Sequence, residues 1–161
     1  MNAVFAQALY LNGRYADAQI ILHKALALDN AQAFAHAILA RIALANGDPT
    51  AALAELEAEP NEEARLTMRA ITYQAMGRRG ESDAALAELE RKFAHSAPVD
   101  IATVYAYRGN AERALAELDR GMRLRDTNSI FVNVDPLLAN LRSNPEFVKL
   151  LRKMKLADLD A

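Results

Sequence analysis

The chain has 161 residues, a net charge of −2 from 19 Lys and Arg against 21 Asp and Glu, and no cysteine. That length builds one domain or one short array with a real core. The charge leaves no global basic field for nucleic acid, and the missing cysteines exclude disulfides, thiolate metal sites and cysteine nucleophiles and fit a reducing, cytoplasmic setting.

Abundant alanine, with only six glycines and five prolines, favours helix, because alanine loses no side-chain entropy there. Apolar positions recur at spacings of three and four, never in sustained alternation. In chain order this predicts helix pairs over residues 2–12 with 15–29, 31–46 with 49–58, 62–76 with 81–94, and 97–108 with 111–124, then short helices over 136–142 and 145–155. Gly13, Gly47, Gly77 and Gly109 suit the left-handed residue just past a helix end. Asp48-Pro49, Asp135-Pro136 and Asn144-Pro145 each put a capping side chain before a proline at the first helical position. Pro60 closes the second pair early. The N-terminus has no signal pattern, since Asn12, Gly13, Arg14 and Asp17 interrupt its apolar stretch. No apolar run is long enough to cross a membrane.

The four glycines head an echo: Gly13-Arg14-Tyr15-Ala16-Asp17-Ala18, Gly47-Asp48-Pro49-Thr50-Ala51-Ala52, Gly77 followed after a small insertion by Ala84-Ala85-Leu86, and Gly109-Asn110-Ala111-Glu112-Arg113-Ala114. They lie roughly 30–34 residues apart, a period that signals stacked helical units, each covering the apolar face of its neighbour.

Chemistry-bearing residues are sparse. His23, His36 and His95 have no ligand-type residue one turn away, so no metal site is expected. Nucleophile motifs and phosphate-binding loops are missing, and no cofactor or catalytic activity is expected. Gly77-Arg78-Arg79-Gly80 reads as a solvated turn. Glu55, Glu57 and Glu59, like Glu88 and Glu90, stand two apart and read as solvated helix faces, since such residues do not face each other on a helix. The tail is basic, with Arg142, Lys149, Arg152, Lys153 and Lys155 against Glu146, which suits the end of a last helix.

The pattern resembles the tetratricopeptide repeat, a helix-turn-helix unit. The residues that carry the likeness are Phe5, Ala6, Leu9, Gly13, Tyr15, Ala18, Leu22 and Ala25; Leu39, Ala40, Ala43, Gly47, Ala52 and Leu56; Ala70, Tyr73, Gly77, Ala85 and Leu89; and Ile101, Ala102, Tyr105, Gly109, Ala114, Leu118 and Gly121. No unit has the tryptophan of the consensus, and Arg69 occupies a usually apolar place. The tail from Asp135-Pro136-Leu137-Leu138 to Asn144-Pro145-Glu146-Phe147 is similar to the segment closing the repeat region of many bacterial regulators, which carry a winged-helix, adenylate cyclase or kinase domain upstream.

The resemblance implies an all-α fold: a right-handed superhelix of about four tetratricopeptide helix pairs with a C-terminal capping helix pair. Residues 1–126 would form the array, in units of about 1–30, 31–60, 61–95 and 96–126, and 127–161 the cap and tail. The first unit starts partway through its inner helix, as expected of a chain that continued upstream. The implied function is a protein-protein interaction scaffold, the sensory part of a bacterial regulator, holding a partner protein or peptide segment in a concave groove. The alternatives are a regulatory module of a multidomain enzyme such as an adenylate cyclase, or self-association through end helices. Carried over residue by residue, the groove positions are Gln7 and Tyr10; Ala37, Arg41 and Leu44; Thr67, Ile71 and Gln74; and Thr103 and Tyr107. The carboxylate clamp of some family members is absent, because Ala3, Gln7, Ile38, Ala64 and Met68 stand at its places. No nucleic acid partner and no membrane insertion are implied.

Overall fold

The computed structural model describes residues 2–156. Among the described residues nine α-helices follow one another: α1 (Asn2–Leu11), α2 (Tyr15–Leu28), α3 (Ala35–Ala45), α4 (Pro49–Glu57), α5 (Glu62–Ala75), α6 (Arg79–Phe93), α7 (Pro98–Tyr107), α8 (Ala111–Leu124) and α9 (Pro145–Lys153). Two 3-10 turns, Thr127–Phe131 and Pro136–Leu141, lie between α8 and α9. No strand occurs among the described residues, and no helix among them is long and apolar enough to cross a membrane.

The four glycine turns share one backbone. Gly13, Gly47, Gly77 and Gly109 have φ of +72°, +77°, +73° and +78°, a region where a Cβ would be strained. In each, the glycine N–H returns to the carbonyl three residues back, and the next N–H returns to the carbonyl five back, as in Arg78 to Tyr73 at 2.8 Å and Asn110 to Tyr105 at 2.9 Å. Orphan carbonyls at the helix end are thereby satisfied. Each following helix starts two residues after its glycine. The third turn therefore contains no insertion. Counting from the glycines, Ala18, Ala52, Ser82 and Ala114 occupy one place, all fully buried. The alignment through Ala84 and Ala85 is corrected: Ser82 is the small packing residue, and its Oγ donates to the Ala70 carbonyl at 2.6 Å. A second small residue, Ala6, Ala40, Ala70 or Ala102, precedes each glycine and is likewise fully buried.

Contacts divide the chain into two compact units, Met1–Ala85 and Leu86–Ala161. In the first, α1 packs on α2, α3 on α4, and α1 and α5 each on α3. So α1, α3 and α5 lie side by side as one layer, with α2 and α4 bridging successive members. The core joins Ala6, Leu9, Tyr10, Ala18 and Leu22 to Ile38, Leu39 and Ile42.

In the second unit α7 pairs with α8, and the tail closes over both. Leu138, Leu141, Phe147, Leu150 and Leu151 bury into one cluster with Val99, Ala102, Ala106, Ala114 and Leu118. Asn140 Nδ2 donates to the Ala106 carbonyl, and Lys153 reaches Asp119 at 2.8 Å, tying the tail to α7 and α8. Gly121 lets α8 approach α7, because a Cβ there would come within 2.8 Å of Val99 Cγ2.

Two inner helices are capped by carboxylates from far along the chain. Glu59 is buried and accepts from the N–H groups of Phe34, Ala37 and Asn61 at 3.0, 2.9 and 2.9 Å. It thus satisfies the orphan donors at the start of α3. Asp126 accepts from Val99 N–H at 3.1 Å and Asn128 N–H at 2.9 Å. The solvated role expected of Glu59 is therefore corrected: α4 stops at Glu57, and the chain beyond it turns inward. Local caps behave as the sequence indicates. Asp48, Asp135 and Asn144 accept from Ala51, Leu137 and Glu146 N–H groups, each with proline at the first helical position.

Candidate functional site

The first unit presents one layer of three neighbouring helices, and four of the predicted groove side chains remain partly exposed on it: Gln7 on α1, Arg41 and Leu44 on α3, and Gln74 on α5. The other four in this unit are core residues. Tyr10, Ala37, Thr67 and Ile71 are 1%, 4%, 1% and 0% exposed. Helical spacing places buried and half-buried members on one stripe, residues 37, 41 and 44 on α3 and 67, 71 and 74 on α5. The stripe thus leans into the contact between neighbouring helices on one edge and toward solvent on the other.

Arg41 connects two of these helices. Its guanidinium lies 5.9 Å from the centre of the Tyr10 ring, which stacks on Tyr15 at 5.6 Å. That cation-ring contact favours a fixed guanidinium orientation. Gln7 and Gln74 bring amides and Leu44 an apolar side chain to this layer, a mixture suited to hydrogen bonding and apolar burial together.

In the second unit Thr103 is buried, its Oγ1 donating to the Val99 carbonyl at 2.8 Å. Tyr107 is half-buried. One polar cluster of this unit lies outside the predicted residues. Tyr105 OH donates to Glu90 Oε1 at 2.6 Å, and Arg113 Nη2 donates back to the phenol oxygen at 2.7 Å while its guanidinium stacks on the ring at 4.7 Å. Burial, reinforced by Glu90, pushes the Tyr105 phenol above its ordinary value. The only sequence signal for this cluster is a tyrosine four residues before the glycine, shared by Tyr73 and Tyr105, with an arginine beyond it. Arg78 stacks on Tyr73 at 4.7 Å in the same manner.

The charged groups elsewhere are mostly paired. Arg78 of the Gly77 turn binds Glu81, whose carboxyl it holds below the ordinary value, and Gly80 lies within α6. Lys153, together with Arg123, holds the Asp119 carboxyl down. Glu55 meets His36 Nδ1 at 2.7 Å, Glu57 meets Arg69 at 3.2 Å, and Glu88 meets Lys92 at 2.9 Å. Among the described residues, no group of three His, Asp or Glu side chains is gathered as a metal ion would need.

No family model, curated protein or solved structure matches this chain.

Proposed function

We propose that the chain is a protein-binding module of tetratricopeptide type, not itself an enzyme, that holds a segment of a partner protein along the layer formed by α1, α3 and α5. The observation that carries this reading is the side-by-side placement of those helices, with Gln7, Arg41, Leu44 and Gln74 partly exposed across all three. Four glycine turns of one geometry, each flanked by the same two buried small residues, support the repeat assignment. A superhelical array, a place within a bacterial regulator and a cytoplasmic location all belong to this proposal. An adenylate cyclase-type enzyme regulated by the module is the neighbouring reading.

The test is affinity capture of partners with the purified chain, followed by binding measurements on Arg41→Ala combined with Gln74→Ala. The double variant should weaken a captured partner at least tenfold, about 1.4 kcal/mol, with little salt dependence. Neutralising Lys149, Arg152 and Lys153 should leave binding unchanged. The reverse pattern, with loss on tail neutralisation and steep salt dependence, overturns the layer as the binding surface.

One observation favours a second reading. Val4, Phe5, Ile20 and Leu28 on α1 and α2 are 72%, 58%, 54% and 87% exposed. Large apolar side chains left in water on one helix pair suit self-association. A monomeric mass in solution at every accessible concentration removes that reading.

A further inference from the structure

We propose that Asn46 is a site of spontaneous covalent modification, in which its side-chain amide is lost and the end of α3 gains a carboxylate. Ten asparagines occur in the sequence, and only Asn12 and Asn46 precede glycine. Glycine has no side chain to hinder attack by its own backbone nitrogen on the asparagine before it. The Gly47 nitrogen attacks Asn46 Cγ; the N–Cγ bond forms, the Cγ–Nδ2 bond breaks, and ammonia leaves carrying the proton from the Gly47 N–H. The resulting succinimide is opened by water. Addition at the former Cγ gives aspartate, and addition at the main-chain carbonyl carbon gives isoaspartate, with one extra methylene in the backbone.

The two Asn-Gly turns share a backbone and differ in what holds the amide. Asn12 Nδ2 donates to the Ala8 carbonyl at 2.7 Å, which fixes its carboxamide against α1. Asn46 is exposed and its carboxamide has no hydrogen-bond partner among the described residues. In both turns the attacking nitrogen is occupied: Gly13 N–H bonds the Tyr10 carbonyl at 2.9 Å and Gly47 N–H the Leu44 carbonyl at 3.0 Å. Asn46, at ψ of 1°, must also rotate before its Cγ meets the Gly47 nitrogen. Reaction is therefore gated by opening of the turn, and the untethered amide of Asn46 reacts first. Its product sets a negative charge at the C-terminal end of α3, where the helix dipole disfavours it. The isoaspartate form also breaks the Asp48 N–H bond to the Ala43 carbonyl, now 2.9 Å.

The experiment incubates the folded chain at mildly alkaline pH and follows each asparagine by peptide mapping with separation of aspartate from isoaspartate. Asn46 should convert severalfold faster than Asn12, giving both products. In denaturant both should accelerate and converge, because the difference resides in the folded turns. Asn46→Gln should remove the fast phase and leave Asn12 unchanged. Equal rates in the folded chain, or conversion of Asn12 first, overturn the proposal, as does a folded chain in which Asn46 stays intact for as long as asparagines not followed by glycine.

Discussion

The turns at Gly13 and Gly77 and those at Gly47 and Gly109 reach the same backbone by different side-chain chemistry. In the first class arginine follows the glycine and pairs with an acid three residues on: Arg14 with Asp17 and Arg78 with Glu81, both at 2.7 Å. In the second class Asp48 or Asn110 follows the glycine and accepts from the N–H three residues on, at 2.8 and 3.1 Å. The glycine and the buried small residues are common to both; the residue between them is free to be an ion-pair donor or a cap. Backbone conformation and close packing therefore fix the hairpin, and the polar side chain only trims its stability. The long-range carboxylates follow the same division, since Glu59 and Asp126 cap α3 and α7, the first helices of the two Asx-type hairpins.

Three pairs of substitutions sharpen this contrast, beginning with the largest effect. Ser82→Leu and Ala52→Leu test what the classes share. Each should overpack a fully buried site and cost about 2 kcal/mol, read by chemical denaturation. A Ser82→Leu chain as stable as the parent would return the packing role to Ala84 or Ala85. Asp48→Ala and Asn110→Ala come next. Loss of a helix N-cap should cost about 1 kcal/mol in each. Arg14→Ala should leave the denaturation midpoint unmoved, because an exposed ion pair contributes little, and Arg78→Ala should cost about 0.5 kcal/mol, since its guanidinium also stacks on Tyr73. Arginine variants that destabilise as much as the cap variants would erase the distinction between the classes.

Helix content was legible because it depends on local pattern. The starts of α4 and α9 carry Asp-Pro and Asn-Pro, and each capping side chain lies within three residues of the N–H it satisfies. The start of α3 was misplaced for the opposite reason. Residues 31–34 read as helix by composition, yet Phe34 takes φ of 68° and α3 begins at Ala35, its first N–H groups held by Glu59 from the α4–α5 connection. A contact between residues so far apart leaves no local trace. The turn at Thr127–Phe131 has no counterpart in the expected elements, and Pro136–Leu141 is 3-10 where a short helix over 136–142 was expected. Within the candidate site, spacing placed residues on the correct helices. It could not tell that Tyr10, Thr67 and Ile71 fall on the edge of the stripe that packs against its surroundings while Gln7, Arg41 and Gln74 fall on the open edge. Residual ambiguity of that kind comes from helix rotation, which a repeat pattern specifies only to within a side-chain width.

The Glu90–Tyr105–Arg113 cluster makes the protein its own optical indicator. The sequence has five tyrosines and no tryptophan, so phenol absorbance and emission are undiluted by indole. Tyr105 bonds Glu90 of α6 and Arg113 of α8 from α7, so its ionisation reports whether three helices remain joined. Its folded value is raised, so the stabilisation it confers is complete below the unfolded phenol value and fades as pH climbs through the folded one. In an alkaline ultraviolet titration, a lagging phenolate that Tyr105→Phe removes marks the intact cluster without any label, and its disappearance dates the parting of α7 from its neighbours.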